Sequence, residues 1–219
     1  MSLFKKSLLL VFLLLVVDQA IKIWIKLNYN LDENYPILEV LFGIQGGEWA
    51  RIHFTENKGA AFGWLIGGDI GKLILSLFRI IAIAALIWYL HKISSLKFPK
   101  IARFGVALIL TGAVGNMIDS AFYGLIFSSS THSVATLFPE GGGYAGFLYG
   151  SVVDMFHFPM FNGTAPTWFP DWSWWPWKPG NYISFFPYIF NFADSAISIG
   201  VLIVIIFRKK FLELEKPAS

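Results

Sequence analysis

Four stretches of this chain are too apolar to face water and too long for the interior of a small soluble core. They run from about Ser7 to Lys26, Lys72 to Leu90, Arg103 to Phe122 and Phe190 to Phe207. A helix rises about 1.5 Å per residue, so about 20 apolar residues cross a hydrocarbon layer about 30 Å thick. Inside that layer no water is available to the backbone, and a single segment meets its own hydrogen-bond needs only as a helix. Composition agrees, with 56% hydrophobic and 14% charged residues, a balance that a water-soluble domain rarely tolerates. The expected architecture is an all-α integral membrane protein. Four transmembrane helices carry a small β-sheet and long loops on the extracytoplasmic face, and residues 1–219 form a single membrane-embedded domain.

Basic residues orient the helices. Lys5 and Lys6 precede the first segment, Lys92, Lys97, Lys100 and Arg103 lie between the second and third, and Arg208, Lys209, Lys210 and Lys216 follow the fourth. These ten of the 17 Lys and Arg place both termini in the cytoplasm. The outer connections, about 28–71 and 123–189, hold only Arg51, Lys58 and Lys178. The first segment begins like a signal peptide but lacks a small-residue cleavage site, since Asp18 stands where Ala20 would need a small partner. Lys22, Trp24 and Lys26 continue it as a retained helix end with interfacial anchors. Without cysteine, the loops have no disulfides and the chain cannot itself be a lipid-modified lipoprotein. A net charge of +3 follows from topology and gives no reason to invoke nucleic acid.

In the first outer connection, Ile37 to Gln45 and Trp49 to Thr55 are β-compatible. In the latter, Arg51, His53 and Thr55 alternate with Ala50, Ile52 and Phe54, the pattern of a half-buried sheet. Gly59 and Gly63 then mark a turn. The second connection is rich in Ser, Thr and Gly over 128–150 and in Trp and Pro over 157–187. Trp168, Trp172, Trp174, Trp175 and Trp177 read as interfacial anchors before they read as a ligand-stacking platform.

The strongly polar residues of the apolar segments gather toward their outer ends. Asp18 lies about 17 Å along the first helix from Ser7, and Asp194 about 6 Å into the last from Phe190. Asn116 and Asp119 share a helix face at i, i+3, as do Asn191 and Asp194. Asp18 and Lys22, at i, i+4, form a structural ion pair that makes burial of both tolerable. Arg79 is expected to snorkel to the surface, with a countercharge to Asp119 or to a lipid phosphate as the alternative. Gly105, Ala107, Gly112, Ala113 and Gly115 give the third helix a small-residue packing face.

Asp154 and Asp194 sit in apolar surroundings with no basic neighbour in sequence. Such carboxylates serve as proton relays, ion ligands or catalysts. As a pair in one pocket they would share a proton, one acting as base toward water and the other as acid toward a peptide carbonyl or leaving amine. His53, His91, His132 and His157 are scattered without an H-E-x-x-H motif, so no metal site is expected. Ser151 with Lys22 is a weak serine–lysine alternative. Gly67-Gly68-Asp69 is not the G-x-G-D of presenilin-like proteases, because Ile66 occupies the first glycine position. A proton-coupled transporter would stage its carboxylates across the bilayer, whereas here they bunch near one side.

Taken in order, five motifs resemble those of the lipoprotein signal peptidases, the signal peptidase II family. They are Val17-Asp18-Gln19 with Lys22, Asn57-Lys58-Gly59-Ala60-Ala61-Phe62, Gly112-Ala113-Val114-Gly115-Asn116 with Asp119, Val152-Val153-Asp154, and Phe190-Asn191-Phe192-Ala193-Asp194-Ser195. The resemblance implies a membrane aspartic endopeptidase of the bacterial cytoplasmic (inner) membrane, with its site near the extracytoplasmic surface. It implies cleavage of the signal peptide from diacylglyceryl-modified prolipoproteins, N-terminal to the lipid-modified cysteine. Asp154 and Asp194 match the catalytic dyad. Asn57, Gly115, Asn116, Asn191 and Ala193 match positions around the substrate pocket, and Asp18 with Lys22 matches the structural first-helix pair. No cofactor is implied. Diacylated prolipoproteins and membrane lipid are the implied partners, globomycin-like peptides the implied inhibitors, and a monomer the expected state. Two departures stand out. Many members carry Arg where this chain has Ser120, leaving Arg79 as a substitute donor, and 127–150 is an insertion that could be a lid, a docking surface or a passive loop.

Overall fold

The computed structural model describes residues 1–58, 68–96, 98–159, 161–173 and 178–208. The glycines of the 59–67 turn, Trp174, Trp175, Trp177 and the basic residues Lys97, Lys209, Lys210 and Lys216 lie outside the described residues.

Helix α1 (Leu3–Asn28) starts where the Ser2 side chain accepts a hydrogen bond from the Lys5 backbone N–H at 3.3 Å, satisfying one of the donors a helix N-terminus leaves open. Its 26 residues, the stretch Ile70–Ser95 of α3 (Gly68–Ser95) and the stretch Lys100–Ile126 are each long and apolar enough to cross a membrane. The last of these comprises α4 (Lys100–Ile118), a π-helical turn (Asp119–Tyr123) and α5 (Gly124–Ile126). The fourth expected span is shorter: α6 (Phe192–Ile206) has 15 residues, about 22 Å of helix.

The chain divides into two compact units. The first comprises Met1–Leu31, Glu56–Val153 and Asn191–Ser219, and the second Asp32–Thr55 and Asp154–Phe190. In the first, α4 is the hub, packing against α1, α3 and α6. Its packing on α6 is backbone to backbone. A Cβ on Gly112 would stand 2.2 Å from the Ala193 carbonyl oxygen, and one on Gly200 2.6 Å from the Gly105 oxygen, so glycine sets the helix separation. The Gly105, Gly112 and Gly115 face anticipated from sequence is therefore the seam with α6. Val11, Leu90, Ile93, Phe98, Ala102, Val106, Ala107 and Leu110 form an apolar core among α1, α3 and α4.

The second unit carries most of a four-stranded sheet in the order β1-β2-β3-β6. Strand β1 (Asn34–Pro36) pairs antiparallel with β2 (Arg51–Asn57), and β3 (Val152–His157) pairs antiparallel with β6 (Ile189–Phe190). The expected alternation holds in β2, where Ile52 and Phe54 are buried between half-buried neighbours. Ile37 to Gln45 is not a strand. Residues Ile37–Phe42 form the short helix α2 instead. Pro36 sets a φ of −57° at its start, and Gly43 ends it at φ +67° with its N–H on the Glu39 carbonyl, the usual glycine stop. A second hairpin pairs β4 (Phe161–Thr164) with β5 (Tyr182–Phe185).

Candidate active site

One hydrogen-bonded network in the first unit takes in Asp18, Lys22, Asn116, Asp119, Asn191 and Asp194. At its centre, the Lys22 ammonium meets Asp119 Oδ2 at 2.8 Å, Asn116 Oδ1 at 3.0 Å and Asp18 Oδ2 at 3.1 Å. Three donors find three acceptors, and Asp18, Lys22 and Asp119 are all fully buried. A charge so far from water is tolerable only when it is paired and its hydrogen bonds are complete. The i, i+4 pair expected from sequence is present, but its stronger contact is with Asp119 on the helix opposite.

Gln19 ties the same carboxylates from the other side. Its amide nitrogen lies 3.0 Å from Asp18 Oδ2 and 3.0 Å from Asp119 Oδ1, and its oxygen accepts the Tyr123 hydroxyl at 3.0 Å. Asp119 Oδ2 also accepts the backbone N–H of Val153 at 3.2 Å. Asp18 Oδ1 accepts the Ala193 N–H at 3.0 Å, and a Cβ on Gly115 would come within 2.6 Å of Asp18 Oδ2. Gly115 and Ala193 thus keep the carboxylate of Asp18 seated between α4 and α6.

Asp194 is held at the N-terminus of α6. The Asn191 side chain accepts the Asp194 N–H at 2.9 Å, while Asp194 Oδ2 accepts the Asn191 N–H at 3.3 Å, a reciprocal capping box. Asp194 Oδ1 accepts Asn116 Nδ2 at 2.8 Å, and Asn116 Oδ1 accepts Asn191 Nδ2 at 3.1 Å. Two donors and the positive end of the helix dipole thus converge on this one side chain. Unlike Asp18 and Asp119, Asp194 is only partly buried, so of these three carboxylates it is the one that reaches the surface.

Arg79 does more than snorkel. Its guanidinium donates to Ser120 Oγ at 3.0 Å, and that hydroxyl donates to the Asn116 carbonyl at 3.0 Å. The substitute donor considered at Ser120 therefore touches that residue from α3. Lys26, expected at the interface, is fully buried: it pairs with Glu56, bonds Ser130 Oγ at 2.9 Å, and lies 5.3 Å and 5.1 Å from the ring centroids of Phe127 and Tyr144. Burial pushes the Tyr144 phenol up to about 12, and its neutral oxygen accepts the Ser151 N–H at 2.7 Å.

In the second unit, Asp154 lies on β3 and is 4% exposed. Asn57 closes β2, in the first unit. The rings of His53 and His157 are 5.7 Å apart, and each Nδ1 is buried without a hydrogen-bond partner among the described residues. Burial lowers both imidazole pKa values from the ordinary 6.5, and Arg51 lowers both further while Asp32 opposes the shift at His53. Among the described residues no three His, Asp or Glu side chains form a metal-binding group.

A family model described as signal peptidase II matches residues 10–209. The chain belongs to the signal peptidase II family. Lipoprotein signal peptidases from Porphyromonas gingivalis and Amoebophilus asiaticus resemble it at 44% and 31% identity. The matches cover 90% and 92% of this chain and 80% and 76% of those proteins. Two solved bacterial membrane enzymes share the fold. One, determined in meso at 2.3 Å, aligns over 100% of this chain and 96% of its own with a TM-score of 0.57 at 20% identity. The other, at 1.9 Å, aligns over 94% and 93% with a TM-score of 0.55 at 24% identity. Gln19, Glu56, Ser130 and Tyr144 take part in these contacts although the sequence reading gave them no role, and Lys26 was read there only as an interfacial anchor. Gln19 alone of the four carried a local signal, as the neighbour of Asp18.

Proposed function

We propose that this protein is a membrane aspartic endopeptidase that removes the signal peptide from diacylglyceryl-modified prolipoproteins, cutting N-terminal to the lipid-bearing cysteine, with Asp154 and Asp194 as its dyad. The observation that carries the proposal is Asp194. A partly exposed carboxylate stands at the head of an otherwise apolar helix, fixed by Asn116 and by the Asn191 N–H, and ionisable groups at the ends of membrane-apolar helices mark functional sites. Membership of a peptidase family supports that chemistry.

In this reading the dyad holds one proton. The ionised carboxylate takes a proton from water as its oxygen attacks the scissile carbonyl, and the protonated partner gives its proton to the carbonyl oxygen. Collapse of the tetrahedral intermediate then breaks the C–N bond as the amine leaves with a proton returned from the dyad. Asn116 and Asn191 position Asp194, and Lys22 neutralises Asp18 and Asp119 so that they take no part. The chain acts as one peptidase domain with α6 as a fourth span, both termini in the cytoplasm and the site near the extracytoplasmic surface.

The test is single-turnover cleavage of a diacylated prolipoprotein by Asp154→Asn and Asp194→Asn beside thermal stability in the same detergent. Each substitution nearly conserves volume, so each variant should stay folded, bind substrate and lose turnover by at least 10²-fold, the low end of a proton-transfer contribution. Activity should survive EDTA. Robust cleavage by either folded variant would remove it from the dyad.

A further inference from the structure

The insertion 127–150 is stitched to the end of the third apolar stretch. Its backbone donates from Phe138 to the Ile126 oxygen at 2.7 Å, from Tyr144 to Phe127 at 3.0 Å, from Ala145 to Gly124 at 2.9 Å and from Gly150 to Ser120 at 2.9 Å. Cβ atoms on Gly143 and Gly150 would stand 2.0 Å from the Gly124 oxygen and 2.2 Å from the Asp119 oxygen, so its backbone lies directly on the helix end. One side is interior: Phe127, Ser130 and Ala135 are buried.

The other side is apolar and uncovered. Phe138 is 71% and Phe147 54% exposed, with Leu137 at 44%. Phe138 has a left-handed backbone at φ +51°, a conformation a bulky residue seldom takes unless its surroundings impose it. This surface continues the exposed face of the helix itself. The Phe147 ring lies 5.8 Å from that of Phe122, and Phe122 and Leu125 are the exposed apolar residues of the last helical turns. Polar residues of the insertion, Ser129, Thr131, His132 and Glu140, are exposed as well, so the segment has both apolar and polar surface, as an element at a membrane–water boundary does.

We infer that the insertion is a membrane-embedded collar: Leu137, Phe138 and Phe147 enter the acyl-chain region of the leaflet in which α5 ends, extending the lipid-facing surface of that span. The occupant is lipid, because the patch is continuous with the outward face of a helix long and apolar enough to cross a membrane. The inference rests on that span and not on the identity of the dyad.

The chain has no cysteine, so single cysteines can be spin-labelled without a background. Phe138→Cys, Phe147→Cys, Phe122→Cys and Ser129→Cys, in otherwise intact protein reconstituted into phosphatidylglycerol–phosphatidylethanolamine nanodiscs, are compared by power-saturation EPR with oxygen and with a water-soluble nickel chelate. Oxygen should be the stronger relaxant at 138, 147 and 122, and the nickel chelate at 129. Nickel-dominated relaxation at 138 or 147, with 122 lipid-like, would overturn the collar alone. Shielding of either position from both relaxants would overturn it in favour of a protein partner. A nickel-dominated signal at 122 would overturn it together with the assignment of the span.

Discussion

Lys22 shows how a single residue in an apolar helix becomes affordable. Its ammonium has three acceptors within 3.1 Å, and the two carboxylates among them are buried with it. Lys22→Met would fill much the same space while stranding Asp18 and Asp119 without their cation. Removing one partner of a buried ion pair costs about 3–5 kcal/mol, so this variant should lose thermal stability in detergent far beyond an exposed control such as Lys5→Met. Asp18→Asn together with Lys22→Met should restore part of the loss, since one carboxylate charge is removed with the lysine. The Asp18–Lys22 pair was legible in sequence because i, i+4 spacing is a local signal. The Asp119 contact, and the pairing of Lys26 with Glu56 of β2 thirty residues on, depend on tertiary packing and leave no local trace.

Among the elements, the α4–α6 seam has the least room for change. At Gly112 a methyl group meets the Ala193 carbonyl, part of the backbone that α6 cannot withdraw without moving. At Gly105 it meets the γ-methyl group of Ile203 first, at 2.8 Å, with the nearest backbone atom, the Gly200 oxygen, at 3.3 Å. Gly112→Ala should therefore be strongly destabilising, beyond the about 1–3 kcal/mol typical of overpacking, and should reduce cleavage because Ala193 and Asp194 move with the seam. Gly105→Ala should be milder, since the nearest backbone atom stands 3.3 Å away there, against 2.2 Å at Gly112. Thermal melts of the two variants in one detergent decide between these outcomes, and equal losses would mean that the seam yields as a whole. Sequence reasoning found this small-residue face because repeated glycine in an apolar helix has a packing cause. It missed α2, where a β-compatible run lies between Pro36 and Gly43. There, the two punctuating residues outweigh side-chain propensity.

For the whole molecule, apolar segment length made three membrane-spanning stretches legible, and ordered polar motifs made the family legible. The composition of the second connection could not reveal that 127–150 folds onto a helix end while β4 and β5 pair elsewhere, because those contacts are backbone hydrogen bonds. Folding as a whole should also respond to mild acid. His53 and His157 have folded pKa values below the ordinary value near 6.5, so the unfolded chain takes up protons first as pH falls. Their contribution is fully present well above pH 6.5 and is lost progressively from there down to the lower folded values, then levels off. Thermal stability should decline between about pH 7.5 and 5.5, a window bracketing that unperturbed value, and His53→Gln should flatten the profile. An unchanged slope in that variant would assign the acid sensitivity to other groups.

The network around Lys22 is closed. An amine whose three N–H bonds are all taken, at 0% exposure, presents neither a lone pair nor a path to an electrophile. Lys26, equally enclosed, shares that inertness, whereas Lys5 and Lys6 are exposed. Acylating reagents therefore separate Lys5 and Lys6, which react at once, from Lys22 and Lys26, which react only when the helices part. The interior pair is a built-in clock for unfolding, read by mass spectrometry without any added label site.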